Sequence, residues 1–441
     1  MLGMATFFVG IGQLLSDFGI GAAIMHARTA DRRVLSSCFW LNVAVASTLA
    51  AAVVLAAPLI GTFYHRPDLA PVVAILSFSL VLSGLLVVPS TLLVRDLRFA
   101  AYTSAQIIGS LVGAIAASGL AFAGFGVWSL VAQPLCGTAT VLVACSVSAR
   151  WYPRFEYSWA AVRPLVRFSS ALLGTNLVGY VNRNADSVLI GRVLGAGALG
   201  FYAMAIQLML YPLQQVSSVF VRVLLPTLMQ LQDDVSRLRA AYLKTVACIA
   251  LVTFPIMGGL FAVADDFVYV VFGSAWTEMT PVVKVLAWVG MLQSVGTTVG
   301  TIYLSTGNPA VALRVTLIGA PVLISGMAAG LPWGILGVAI GYAAASFSFF
   351  YYSLATALRL IHVTLADFHE GLVRPLGATI AMVGVVVLAN ILMQGTEPSH
   401  RLAIGVSLGV VVYGAASFVV NRAQIAELIA IAHALRPKAS S

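Results

Sequence analysis

Charge is scarce in this chain. Only 9% of its 441 residues are Asp, Glu, Lys or Arg, against roughly a quarter in a soluble globular domain. A water-soluble enzyme around one apolar core is excluded, because too few charged side chains exist to cover it. Cysteine is also sparse. Cys38, Cys136, Cys145 and Cys248 all lie in apolar runs, with no C-x-x-C pair. They read as small buried hydrophobes, so disulfide frameworks and thiolate metal sites drop out. The six histidines stand in loops or tails without ligand spacing. No Walker A motif, H-E-x-x-H or G-x-S-x-G occurs, so ATP hydrolysis, zinc proteolysis and serine-hydrolase chemistry have no carrier. Gly195 to Gly200 spells G-x-G-x-x-G. It follows no strand, and no acidic residue stands about 20 positions on, so it reads as a tight turn between spans. Asp233-Asp234 and Asp265-Asp266 read as caps and solvated ends, not catalytic dyads.

What remains is apolar. Hydrophobic residues make up 60% of the chain, and the mean hydropathy is +0.99. A helix needs about 20 apolar residues to cross a membrane, and about thirteen such runs are legible. They fall near 2–25, 36–64, 70–94, 101–123, 126–149, 168–190, 198–221, 244–264, 279–305, 310–331, 333–358, 371–394 and 402–420. They leave no room for a sizeable soluble domain. The basic residues then sort by turn. Alternate loops hold Arg32 and Arg33, Arg95 and Arg98, Arg150 to Arg167, Arg237 to Lys244, Arg359 and Arg374, and the Arg422 to Lys438 tail. The opposite loops hold only Arg66, Arg192, Lys284 and Arg401. Retention of Lys and Arg on the cytoplasmic side orients the chain. The net charge of +9 follows from that bias and from anionic lipid, and nucleic acid is not an expected partner.

Two cytoplasmic connections are longer. Arg150–Arg167 and Leu224–Lys244 mix Arg with aromatic or aliphatic residues. Each reads either as an interfacial helix or as a plain surface linker. The halves also echo one another. Gly124-Phe-Gly-Val-Trp-Ser-Leu-Val-Ala132 resembles Trp333-Gly-Ile-Leu-Gly-Val-Ala-Ile-Gly341, which points to two bundles of common plan. The chemistry-bearing residues are those at membrane depth. Asp17 sits in the first span. Asn176, Asn182, Arg183, Asn184 and Asp186 sit in the sixth. A charge near the bilayer centre costs about 2.5–3.5 kcal/mol on insertion scales, so it faces a partner or a wet cavity. Arg183 and Asp186, at i, i+3, either pair locally or line a cavity as anion anchor and titratable carboxylate. The guanidinium suits bidentate phosphate binding. Asp17 divides in the same way between packing and function.

The run from Asp186-Ser-Val-Leu-Ile-Gly-Arg to Phe201-Tyr-Ala-Met-Ala205 resembles the Wzx-type (WzxC-like) polysaccharide and O-antigen flippases. So do Leu2-Gly-Met-Ala5 through Asp17-Phe-Gly-Ile-Gly21, Gly126-Val-Trp-Ser-Leu-Val-Ala-Gln133, and Phe155 to Trp159 before Arg167. These flippases belong to the multidrug/oligosaccharidyl-lipid/polysaccharide exporter superfamily. The resemblance implies an all-α polytopic membrane protein with two pseudo-symmetric helical lobes around a central cavity, plus two C-terminal helices. The expected parts are an N-terminal lobe at 1–149, a cytoplasmic linker at 150–167, a C-terminal lobe at 168–360, two additional helices at 361–421 and a tail at 422–441. Family members carry a helix before the Leu2-Gly3 equivalent, so five helices are expected in the first lobe.

The implied function is flipping of undecaprenyl-pyrophosphate-linked oligosaccharide across the bacterial inner membrane, for lipopolysaccharide or exopolysaccharide synthesis. Alternating access would be driven by an H+ or Na+ gradient, with no bound cofactor or metal and no enzymatic step. Arg183 would engage pyrophosphate, Asn176, Asn182 and Asn184 sugar hydroxyls, and Asp186 or Asp17 the coupling ion. The expected partners are the lipid-linked substrate, membrane lipids and the polysaccharide polymerase or export machinery. Two other readings stay open: a drug or organic-cation antiporter of the same superfamily, and a non-transporting scaffold of the assembly machinery.

Overall fold

The computed structural model describes residues 2–17, 24, 31–159, 163, 177, 179–181, 184–231, 234–422 and 424. Among these residues the chain forms helices and no strand. Ten helical runs are long and apolar enough to cross a membrane. One of them, Ala310–Leu360, contains two helices, and Gly3–Ser16 adds a shorter apolar helix. The chain is an all-α, multi-pass membrane protein. The described part of every expected span outside 168–190 is mainly helical, while 18–23 and 25 of the first span and most of 168–190 lie outside the described residues. By contact the chain divides into two units, Met1–Leu199 and Gly200–Ser441.

The first unit holds α1 (Leu2–Asp17), α2 (Arg32–Phe63), α3 (Leu69–Leu76), α4 (Phe78–Arg95), α5 (Phe99–Phe122) and α6 (Val127–Ala149). Helices α3 and α4 form one span interrupted at Ser77, whose hydroxyl donates to the Ala74 carbonyl at 2.6 Å. Such back-bonding by a hydroxyl bends helices. Helices α5 and α6 lie close enough that a Cβ on Gly113 would stand 2.7 Å from the Gln133 carbonyl oxygen. In lipid, helices gain nothing by hiding apolar surface from one another. Small residues that admit close backbone contact therefore drive the pairing.

The segment after α6 is described at 150–159 and 163, and the rest of Arg150–Arg167 lies outside the described residues. Residues 151–158 are not helical and run as a strap along the start of α2. The Arg154 and Ser158 amides donate to the Ser36 and Ser37 hydroxyls at 3.1 and 3.0 Å. The Trp40 indole N–H donates to the Arg154 carbonyl at 2.8 Å. Trp40 stacks on Phe155 at 4.8 Å, and Trp151 packs edge-on against Phe39. Pro153 is the reason a helix does not form here. It supplies no N–H and pushes Tyr152 towards extended backbone.

The second unit holds most of α7 (Gly195–Gln230), then α8 (Val235–Phe272), α9 (Thr280–Gly296), α10 (Val299–Ser305), α11 (Pro309–Gly330), α12 (Gly334–Leu360), α13 (Leu365–Leu392) and α14 (Pro398–Val420). The G-x-G-x-x-G run is not a free turn. Gly195 takes φ +87° and opens α7, and the remaining residues are its first turns. At 1.5 Å per residue, α8 is about 57 Å long, well beyond a bilayer core of about 30 Å. The second long connection, Leu224–Lys244, is therefore mostly the ends of α7 and α8. The Asp234 carboxylate caps α8 by accepting from the Arg237 amide at 3.1 Å.

Helix α8 is the spine of this unit and packs on α9, α13 and α14. Around it Tyr242, Phe254, Met257, Leu354 and Phe368 form a buried cluster. Polar ties hold α13 and α14 to it at opposite ends. Thr364 and Asp367 form a capping box at the start of α13, and Asp367 also accepts from Arg239 of α8 at 2.5 Å. At the far end Arg401 of α14 pairs with Asp266 of α8, its Nε donating at 3.1 Å. Asp266 is thus not a solvated helix end, because its side chain is only 7% exposed. Asp265 is the solvated member and pairs with Lys284.

The second unit also has its glycine-locked pair, α11 on α12. A Cβ on Gly326 would stand 2.6 Å from the Gly341 carbonyl oxygen and 2.5 Å from the Ala345 Cβ. Gly330 and Gly337 block one another in the same way. Each unit therefore carries one helix pair with almost no side chain between the backbones, in the regions where the two halves echo in sequence.

Candidate functional site

The residues expected to bind substrate fall unevenly on the described structure. Asn176, Asn182 and Arg183 lie outside the described residues, and Asp17 is described only as the last residue of α1. Residues 184–193 are helical. Asn184 donates its amide N–H to the Tyr180 carbonyl at 2.8 Å, one turn back. The Tyr180 hydroxyl in turn lies 3.2 Å from the Thr6 carbonyl, which ties this segment to α1. Asp186 is half-buried. Its Oδ1 accepts from the Ser187 amide at 2.7 Å, and no described basic residue pairs with it.

Three cavities stand out, each within one unit. The first unit has one of about 480 Å³ between α1, α4, α5 and α6, with Gln106, Ser110, Gln133 and Thr138 on its wall. The second unit has one of about 570 Å³ between α7, α9, α10, α11 and α12. Its polar lining is Gln214, Ser217, Ser218, Gln293, Thr297, Ser346 and Ser353. Among the described residues, no Asp, Glu, Lys, Arg or His lines either one. Part of the second wall is the interruption between α9 and α10. There Ser294, Thr297 and Thr298 turn their hydroxyls onto the Met291, Ser294 and Val295 carbonyls at 2.7–2.8 Å. Irregular backbone at membrane depth is tolerated where protein or a wet cavity surrounds it.

The third cavity is different in kind. It is a groove of about 770 Å³ between α7, α8, α13 and α14, lined by Leu208, Pro212, Ile256, Val263, Met382, Val410 and similar side chains. Among the described residues, Gln207 is its only carboxamide, and Tyr211 and Tyr413 supply its only hydroxyls. Tyr413 spends its hydroxyl on the Leu251 carbonyl at 2.7 Å. Helix α7 borders both chambers of the second unit. Leu210, Leu213 and Gln214 face the polar-lined cavity, and Leu208, Tyr211 and Pro212 face the groove.

The glutamines and serines of the polar cavities were not singled out in the sequence, where only charged residues and asparagines at membrane depth were weighed. The available signal was an uncharged hydrogen-bonding side chain deep in an apolar run, as at Gln214 and Gln293. Among the described residues no cluster of His, Cys, Asp or Glu could hold a metal ion.

Residues 1–281 match the sequence profile of the family described as "Polysaccharide biosynthesis protein". The chain belongs to that family. Among its relatives in the family's field, the lipopolysaccharide biosynthesis protein WzxC of Escherichia coli (strain K12) is 28% identical over 359 residues, 78% of this chain and 70% of that protein. The teichuronic acid biosynthesis protein TuaB of Bacillus subtilis (strain 168) is 27% identical over 413 residues, 91% of this chain and 84% of that protein. The succinoglycan biosynthesis transport protein ExoT of Rhizobium meliloti (strain 1021) is 30% identical over 62% of this chain and 56% of its own length. In fold, this polysaccharide biosynthesis protein is similar to the lipid II flippase MurJ in an inward closed conformation. The TM-score is 0.75 at 14% identity, covering 96% of this chain and 93% of that one. An inward-facing multidrug resistance MATE family transporter of the MOP superfamily gives a TM-score of 0.59 at 14% identity, covering 82% and 91%.

Proposed function

We propose that this polysaccharide biosynthesis protein flips undecaprenyl-pyrophosphate-linked oligosaccharide units from the cytoplasmic to the outer leaflet of the bacterial inner membrane. It is a transporter and not an enzyme. The observation that carries the reading is α7, one wall of which faces an almost wholly apolar groove and the other a cavity whose mainly apolar wall carries seven uncharged polar side chains. A substrate with a long hydrocarbon tail and a hydroxylated head needs both kinds of surface. Burying an unpaired hydroxyl in apolar surroundings costs about 1–3 kcal/mol, so tail and head cannot share one chamber. A small organic cation would need acidic residues in the cavity wall, and among the described residues neither of these two cavities has one. Membership of the family and the fold shared with a lipid II flippase support the same reading.

In this reading Arg183 engages the pyrophosphate, and Asn176, Asn182 and Asn184 bond sugar hydroxyls. Asp186 or Asp17 takes the coupling H+ or Na+. The polymerase or export machinery of the polysaccharide would receive the flipped unit. The test is deletion in the source bacterium, with the leaflet distribution of the lipid-linked unit as readout. The expected result is build-up in the cytoplasmic leaflet with loss of surface polymer, restored by the intact chain. Lost polymer with a normal leaflet distribution would overturn the flippase in favour of a scaffold.

A further inference from the structure

The polar-lined cavity of the second unit has a feature that packing alone does not explain. Gln214, exposed on α7 within an apolar stretch, makes no hydrogen bond among the described residues. Ser346 of α12, 5% exposed, also lines the cavity, and its hydroxyl has no partner. Gln293 of α9 donates its amide N–H to the Tyr342 hydroxyl at 2.7 Å, which leaves its carbonyl oxygen open. A buried hydroxyl without a partner is costly, and that of Ser346 shares one space with the open groups of Gln214 and Gln293. The ring of Phe349 forms another part of the wall. The volume, about 570 Å³, is in the range that encloses a small organic ligand.

We propose that this cavity is a subsite for an uncharged sugar residue of the transported glycan. The inference rests on the flippase reading and adds to it a place and a specificity for the head group. A carboxamide is donor and acceptor at once, and so is a hydroxyl. Gln214, Gln293 and Ser346 together can therefore bond vicinal sugar hydroxyls in either sense. The aromatic face of Phe349 suits the apolar C–H face of a pyranose. The uncharged wall sets the selectivity. An ionised carboxylate buried here would have no counter-charge, which is far costlier than an unmet hydroxyl. A uronic acid, and the pyrophosphate itself, must therefore lie elsewhere.

The test uses the full chain in lipid nanodiscs and three synthetic probes: undecaprenyl diphosphate alone, the same lipid carrying one glucose, and the same lipid carrying one glucuronate. Equilibrium affinities are compared. The glucose probe is expected to bind about tenfold more tightly than the bare lipid, the yield of one or two net hydrogen bonds. The glucuronate probe is expected to gain nothing over the bare lipid. The Gln214→Leu, Ser346→Ala double variant should lose the glucose increment and keep the wild-type affinity for the bare lipid, which also certifies its fold. Gln214→Glu, a near-isosteric change at an exposed position, should lose the increment as well. An increment that survives both variants, or is absent in the wild type, or is equal for glucuronate, overturns the subsite and leaves the flippase reading standing. Failure of all three probes to bind overturns the flippase reading, and the subsite with it.

Discussion

The contact between α11 and α12 sets a sharp test of what holds the second unit together. Replacing Gly326 by Ala adds one methyl group. That methyl would stand 2.5 Å from the Ala345 Cβ and 2.6 Å from the Gly341 carbonyl oxygen. Carbon atoms in contact rest at about 3.5–4.0 Å, so the helices must part by roughly 1 Å. The carbonyl belongs to helix backbone and cannot rotate away as a side-chain tip could. A gap of that size forfeits a quarter to a half of each dispersion contact it opens, and overpacking of this kind costs about 1–3 kcal/mol. Gly384 of α13 provides the control. It is exposed within a helix, and a Cβ there meets nothing within 4 Å. Gly384→Ala should stabilise by about 0.5–1 kcal/mol through reduced backbone freedom in the unfolded chain. The two variants should thus differ by about 3 kcal/mol in unfolding free energy. Both are compared with wild type by denaturant titration of the purified chain in detergent. A Gly326→Ala protein as stable as the Gly384→Ala protein would refute the argument that backbone proximity holds this pair.

Two further outcomes follow from the polar ties. Asp266→Asn should destabilise by about 2–4 kcal/mol, since it leaves Arg401 one-fifth exposed and without its carboxylate. Adding Arg401→Met should recover part of that loss, and a double-mutant cycle showing strict additivity would remove the pair from the account. Trp40→Phe deletes the indole N–H that holds the Arg154 carbonyl. It should increase tryptic cleavage after Arg154 several-fold while leaving overall unfolding within about 1 kcal/mol, because one net hydrogen bond is lost. Unchanged cleavage would mean that the strap is held by its Ser36 and Ser37 bonds alone.

The architecture was open to reading because membrane helices obey a rule of length. An apolar run of about 20 residues has few alternatives, and α2, α5, α6, α13 and α14 lie where such runs were drawn. Distances along the chain hid the rest. Asp266 and Arg401 are 135 positions apart, and nothing in either segment names the other. Gln214, Gln293 and Ser346 come from three helices and gain meaning only when the fold places them round one space. The strap at 151–158 is non-helical, and Pro153 speaks against helix there, but its bonds to Ser36 and Ser37 reach across 118 and 121 positions and leave no local mark. The glycines at the start of α12 stand in the repeated segment, but their steric role needs the facing backbone of α11.

Helix α7 is a single partition with a chamber on either side. Its far neighbours across the groove, α13 and α14, are fastened to α8 by Asp367 and Asp266, so the groove changes width chiefly by a shift of α7. Any such shift that gives room to one chamber takes it from the other. Occupancy of the two is therefore thermodynamically linked: whatever free energy a hydrocarbon chain in the groove adds to, or removes from, binding in the polar chamber, the head group returns in equal measure.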